Sequence, residues 1–149
     1  MNQFTFERMK NLSKFKDKVN ARNLLVQAMY EFSFGHNSPQ EIEKSFIKNF
    51  TKTKVDYIFF KNIFRYLTKS YAQLKENIYE SAEFELFGIK TIEIMEENIM
   101  LIALAESKFE ETPKTIIIDE SVRLAKKFGG DNSYKFVNAS LEKILESYK

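Results

Sequence analysis

The sequence predicts an all-α protein, and three observations carry the prediction. Apolar residues recur at steps of three and four over most of the chain. Four glycines and two prolines in 149 residues leave little material for the many turns of an all-β fold. Hydrophobic residues make up 44% and charged residues 30%, the balance of a soluble globular domain. A chain of this length is the size of one domain and buries roughly 70% of the surface its unfolded form exposes.

Residues 1–13 read as a flexible, charged N-terminal extension, and 14–149 as one helical domain. The first long helix is predicted over Lys18 to Phe34, with Ala21, Leu25, Ala28, Met29 and Phe32 as its buried stripe. Gly35 to Ser38 make a turn, and Ser38-Pro39 caps a short helix over Gln40 to Asn49. From Lys54 runs the longest periodic stretch, through Phe60, Ile63, Phe64, Leu67, Tyr71, Leu74 and Ile78. Residues 80–90 connect less regularly, with Gly88 as a break, and the helices fall into two groups divided near residues 79–90. Ile92, Met95, Ile99, Ile102 and Ala103 mark a further helix ending near Ser107. Thr112 is the expected cap of the next, with Pro113 at its first position and Val122, Ala125 and Phe128 on one face. Gly129 and Gly130 follow at once, where a left-handed residue commonly closes a helix. Asn132 or Ser133 then caps the last helix, whose inner stripe is Phe136, Val137, Leu141, Ile144, Leu145 and Tyr148.

Several function classes fall away on residue type alone. Without cysteine there is no disulfide, thiolate zinc site or cysteine nucleophile. The longest unbroken apolar run, Ile99 to Ala105, is too short to span a bilayer, and the charged N-terminus has no secretory core, so the protein reads as cytoplasmic. His36 stands alone in a turn and reads as a surface residue. Asp119 and Glu120 are adjacent, so they point to different sides of a helix and make no acid–base pair. Glu80, Glu83 and Glu85, and Glu96 with Glu97, read as solvated faces. No enzyme, metal or cofactor is expected.

Charge distribution points instead to a polyanion. The net charge is only +2, yet the first 22 residues hold Arg8, Lys10, Lys14, Lys16, Lys18 and Arg22 against Glu7 and Asp17. Lys135 forms a second basic site. It falls in the first turn of the last helix, where a cation opposes the positive end of the macrodipole, so helix stability does not select it. A phosphate-facing role does. Phe136 beside it reads either as a ring that stacks an unpaired base or as core.

Ile118 to Gly129, followed by Lys135-Phe136-Val137-Asn138-Ala139-Ser140-Leu141-Glu142-Lys143, resembles the end of the NusB transcription antitermination factor family. That family usually runs close to INEAVELAKKFG, a short polar step, then KFVNGVLDK. Gln27, Ala28 and Tyr30 resemble its opening helix, and Asp56-Tyr57-Ile58-Phe59-Phe60 its middle. The resemblance implies two roughly perpendicular three-helix layers. It also implies a non-enzymatic adaptor that binds boxA-like single-stranded leader RNA with the ribosomal protein NusE and acts on the transcribing RNA polymerase complex, chiefly in ribosomal RNA operons. The RNA face it implies comprises Lys14, Lys16, Lys18 and Arg22, together with Asn132, Ser133, Lys135 and Phe136; the NusE face comprises Tyr30 and Glu96.

The chain departs from the family pattern at Asn132 for the usual aspartate, Ala139 for glycine, Leu101 for arginine, Tyr66 for glycine, and in a thinner arginine cluster. Two rivals remain. A NusB-like domain also begins some ribosomal RNA cytosine methyltransferases, whose catalytic cysteines are missing here. A helical protein-interaction module without RNA binding is the other.

Overall fold

The computed structural model describes residues 2–49 and 54–147, and within the first helix the side chains of 2, 3, 5, 9, 12 and everything from 14 onward. Eight helices are present among the described residues: α1 (Gln3–Ser33), α2 (Pro39–Asn49), α3 (Tyr57–Lys69), α4 (Tyr71–Ser81), α5 (Phe84–Phe87), α6 (Ile94–Phe109), α7 (Lys114–Phe128) and α8 (Ser133–Ser147).

The organising element is α6. Every residue from Glu96 to Glu106 is buried, so this helix has no solvent face over its middle turns. A helix apolar all round belongs inside a protein, and the run Ile99 to Ala105 supplies that surface. It packs against α1, α3, α4, α7 and α8. Around it α1, α2 and α3 form one group, while α4, α7 and α8 close the other side.

The α1 stripe is buried as expected: Ala21, Leu25, Ala28 and Met29 are fully enclosed and Phe32 packs on the core. The helix itself begins at Gln3 rather than near Lys18, capped by the Asn2 side chain on the Thr5 amide. Its early turns extend past the core, for Met9, Leu12 and Phe15 are exposed; the Arg8 and Lys10 side chains lie outside those described. Ser38 does cap α2, accepting from the Glu41 amide at 3.2 Å. The inner stripe of α8 is buried from Phe136 to Leu145, and Tyr148 lies outside the described residues.

Four local expectations are corrected. The periodic stretch after Lys54 is two helices, because Ser70 (φ −106°, ψ 20°) breaks it, ending α3 and preceding α4. The group boundary therefore falls at Ser70, not at residues 79–90. Pro113, not Thr112, occupies the cap position of α7. Gly129 is extended (φ −89°, ψ 177°), and the left-handed residue is Asn132 (φ 66°), a residue type that tolerates that conformation. Gly129 is needed for another reason: a Cβ there would come within 2.7 Å of both the Ala125 carbonyl oxygen and the Ser133 hydroxyl. Gly88 is the break expected of it, left-handed at φ 63° after α5.

Candidate nucleic-acid interface

The α1 group of predicted site residues divides into three environments. Arg22 is buried, 3% exposed. Its Nε and one terminal nitrogen donate to the two Glu106 oxygens at 2.8 and 2.7 Å, and the other terminal nitrogen donates to Glu120 at 3.0 Å. Its guanidinium also lies over the Phe59 ring, 5.2 Å from the centroid. Burial works to lower its pKa, but the hydrogen bonds and charges of Glu106 and Glu120 outweigh that and raise it. Arg22 is thus a clasp joining α1 to α6 and α7, with its charge turned inward, and the expectation of a phosphate contact is corrected.

Lys14 and Lys18, four residues apart, line a groove of about 610 Å³. Phe15, Pro113 and Ile116 supply its apolar lining, but Asp17, Asp56, Glu110 and Glu111 also face it. The Lys18 ammonium rests 5.5 Å over the Phe59 ring. Lys16 is exposed and does not line this groove. The basic start of α1 is therefore balanced locally by Asp17, and by Asp56, Glu110 and Glu111, which nothing in the spacing of residues 14–22 announces.

At the start of α8 the expected site also splits. Ser133 is buried, and its hydroxyl donates to Glu96 at 2.9 Å, so it secures α8 to α6 instead of facing solvent. Phe136 is 3% exposed, with the Phe84 and Phe87 rings at 6.2 and 5.6 Å, so it packs as a core residue. Asn132 and Lys135 are exposed as expected.

Of the two partner-face residues, Tyr30 is 39% exposed and meets Phe34 edge-on at 4.8 Å, giving an exposed aromatic pair. Glu96 is 7% exposed and closes a capping box with the Glu93 backbone, so the reading of it as a surface acid is corrected. Glu97, also read as solvated, is buried and accepts from the Tyr71 and Tyr79 hydroxyls, each at 3.1 Å. Burial first, and the Glu97 charge second, push the Tyr71 phenol up to about 12 and raise that of Tyr79.

The end of α7 carries a further group of cations. The Lys126 ammonium lies 4.8 Å from the centroid of the half-buried Tyr134 ring, and Lys135 reaches the same ring at 6.0 Å. Lys127 sits 5.6 Å over Phe128. One turn earlier, Arg123 donates to the Asn23 side chain at 2.8 Å, which ties this surface to α1. Among the described residues, Lys126, Lys127 and Lys135 have no carboxylate within ion-pair distance. The interleaving Lys-Lys-Phe and Tyr-Lys is visible in the sequence and is the signal that finds it.

These features define the class: an all-helical protein whose distinguishing site is a basic surface carrying aromatic rings. The chain belongs to the NusB family, whose sequence profile matches residues 19–146. It is 30% identical over 136 residues to the transcription antitermination protein NusB of Pasteurella multocida, covering 91% of this chain and 92% of that one. With the NusB proteins of Colwellia psychrerythraea (strain 34H) and Shewanella baltica (strain OS155) it shares 32% over 127 and 133 residues. Those alignments cover 85% and 89% of this chain, and 90% and 97% of the relatives. Its fold is similar to that of a solved NusB from T. maritima, with a TM-score of 0.70 and 21% identity over 86% of this chain and 89% of that one. Such transcription antitermination proteins are not enzymes, and this chain is not one. No described helix is long and apolar enough to cross a membrane.

Proposed function

We propose that the protein is an antitermination adaptor that binds boxA-like single-stranded leader RNA together with ribosomal protein NusE, in support of ribosomal RNA operon transcription in the cytoplasm. The observation that carries this reading is the cluster of Lys126, Lys127 and Lys135 where α7 ends and α8 begins, held over aromatic rings and without an ion-paired carboxylate among the described residues, in a chain of the NusB family. Lysines placed there without an ion pair contribute only ring contacts and a helix-end effect to the fold, and phosphate is the counter-charge they suit. Lys14, Lys16 and Lys18 on α1 offer further phosphate contacts beside the carboxylates of their groove, and the exposed Tyr30–Phe34 pair is the patch offered to NusE. The RNA-binding domain runs from residue 14, with 1–13 as an N-terminal extension to it.

Fluorescence anisotropy of a short boxA RNA and a scrambled control, with and without NusE, tests the proposal. Preference for boxA, tightened by NusE and lost in a Lys18→Glu, Lys135→Glu double variant, is the expected result. With about four phosphates neutralised, log affinity falls against log salt with a slope of about −3. Equal weak binding to both RNAs under all conditions sinks it.

A further inference from the structure

Phe136, the one ring the sequence offered for stacking, is sealed in the core, so a single-stranded RNA needs another platform. Resting on the RNA-binding reading above, we infer that Tyr134 stacks an unpaired base of the bound strand. In this arrangement Lys126 and Lys135 hold the phosphates on either side.

The geometry supports this in three ways. Tyr134 is half-buried: it packs against the core along one side and keeps ring surface open to solvent. What covers that surface is the Lys126 ammonium, a solvated cation on a flexible stem, at 4.8 Å. Such a contact is weak where water reaches it, and a nucleobase with its full π-face replaces it favourably. Lys126 thus guards the ring in the free protein and is released toward the backbone when a base arrives.

Second, helix-end electrostatics do not account for these lysines. A cation in the last turn of α7 stabilises that helix when it meets the terminal carbonyls. Lys126 instead crosses to a ring on the next helix. Lys135 sits in the first turn of α8, where its charge opposes the macrodipole. Third, the platform is rigidly mounted. Ser133, one residue before Tyr134, is anchored to buried Glu96, and Gly129 allows the close approach that sets this corner. A ring held this way loses little freedom when a base stacks on it.

The two side-chain types leave different signatures. Tyr134→Ala is expected to weaken boxA binding between about fivefold and about 150-fold with the salt slope unchanged. Tyr134→Phe retains wild-type affinity, because stacking needs the ring and not the hydroxyl. Lys126→Met leaves the stack in place but makes the slope shallower by about 0.7, the loss of one phosphate contact. Because Tyr134→Ala also removes packing, a second measurement uses the wild-type and Tyr134→Phe proteins with boxA RNA carrying 2-aminopurine at successive positions. Fluorescence quenching at one position in both proteins is expected. If wild-type protein binds boxA while no position is quenched, or if Tyr134→Ala binds as wild type does, Tyr134 is no platform, although the adaptor reading stands. If wild-type protein binds no RNA, both fall together.

Discussion

Replacing Arg22 with methionine separates the structural role of the buried arginine from a role in RNA contact. Methionine keeps an unbranched apolar stem and removes the guanidinium, with its contact over the Phe59 ring. The charged side chains involved are 3% exposed for Arg22, 2% for Glu106 and 9% for Glu120. Glu120 retains Arg123 at 2.8 Å, but Glu106 loses both hydrogen bonds in a site that water does not reach. Breaking a buried ion pair from one side costs about 3–5 kcal/mol, chiefly through the stranded charge. Against a total of about 5–15 kcal/mol for a domain, that is roughly a fifth or more of the stability. Urea unfolding followed by far-ultraviolet circular dichroism measures it. The companion variant, Arg22→Met with Glu106→Leu, removes the stranded carboxylate and is expected to recover most of the loss, since apolar pairs commonly replace buried ion pairs at little cost. A single-variant loss under about 1 kcal/mol, or a double variant less stable than the single, would refute the argument. Below its unfolding transition Arg22→Met is expected to hold boxA RNA as wild type does; selective loss of RNA affinity means the guanidinium reaches the strand after all.

Asn132→Asp is expected to weaken RNA binding without unfolding the protein, because aspartate also tolerates φ 66° while adding a negative charge beside Lys135; paired anisotropy and thermal melts check this. Gly129→Ala is expected to lower the melting temperature by several degrees, since the new methyl group must displace the Ala125 carbonyl or break the Ser133–Glu96 bond; an unchanged transition refutes it. The raised Tyr71 phenol carries a pH signature. Its folded-state pKa of about 12 lies above the ordinary 10.0, so its contribution is complete below pH 10 and is lost as pH rises toward 12. The urea midpoint should fall across that window in wild type and fall less in a Tyr71→Phe, Tyr79→Phe variant. Trypsin is expected to cut first before residue 14, leaving a core that retains RNA binding.

The apolar skeleton was readable because it is written locally. Leu25 and Met29, or Leu141 and Leu145, sit one turn apart on the same helix, so periodicity alone brings them inward. The polar interior was not. Arg22 meets Glu106 across 84 residues of sequence and Glu120 across 98, and no spacing rule joins them. Glu96 and Glu97 look like an exposed acidic start to α6 until Ser133, Tyr71 and Tyr79 are folded onto them. The signal available was compositional: acids flanking the run Ile99 to Ala105, too apolar to face water on any side, have nowhere to project except inward. The break at Ser70 leaves no mark in the sequence, because neither glycine nor proline stands there and the apolar pattern runs straight through. At the candidate interface the positions of Asn132 and Lys135 were legible from their place at a helix start. The Lys126–Tyr134 contact was not, because it joins two helices across a turn whose course the sequence does not state.

The central helix carries four polar pegs as well as its apolar surface: Glu96 engages Ser133 on α8, Glu97 the two tyrosines of α4, Asn98 Ser33 on α1, and Glu106 Arg22. Each surrounding helix so pegged can detach only by leaving a carboxylate or amide in the interior without its partner. Partial opening is therefore penalised as heavily as complete opening, and the molecule should come apart in a single step. In native-state hydrogen exchange the amides of α6 and of the turns that peg it would report one common free energy, with fraying confined to the early turns of α1.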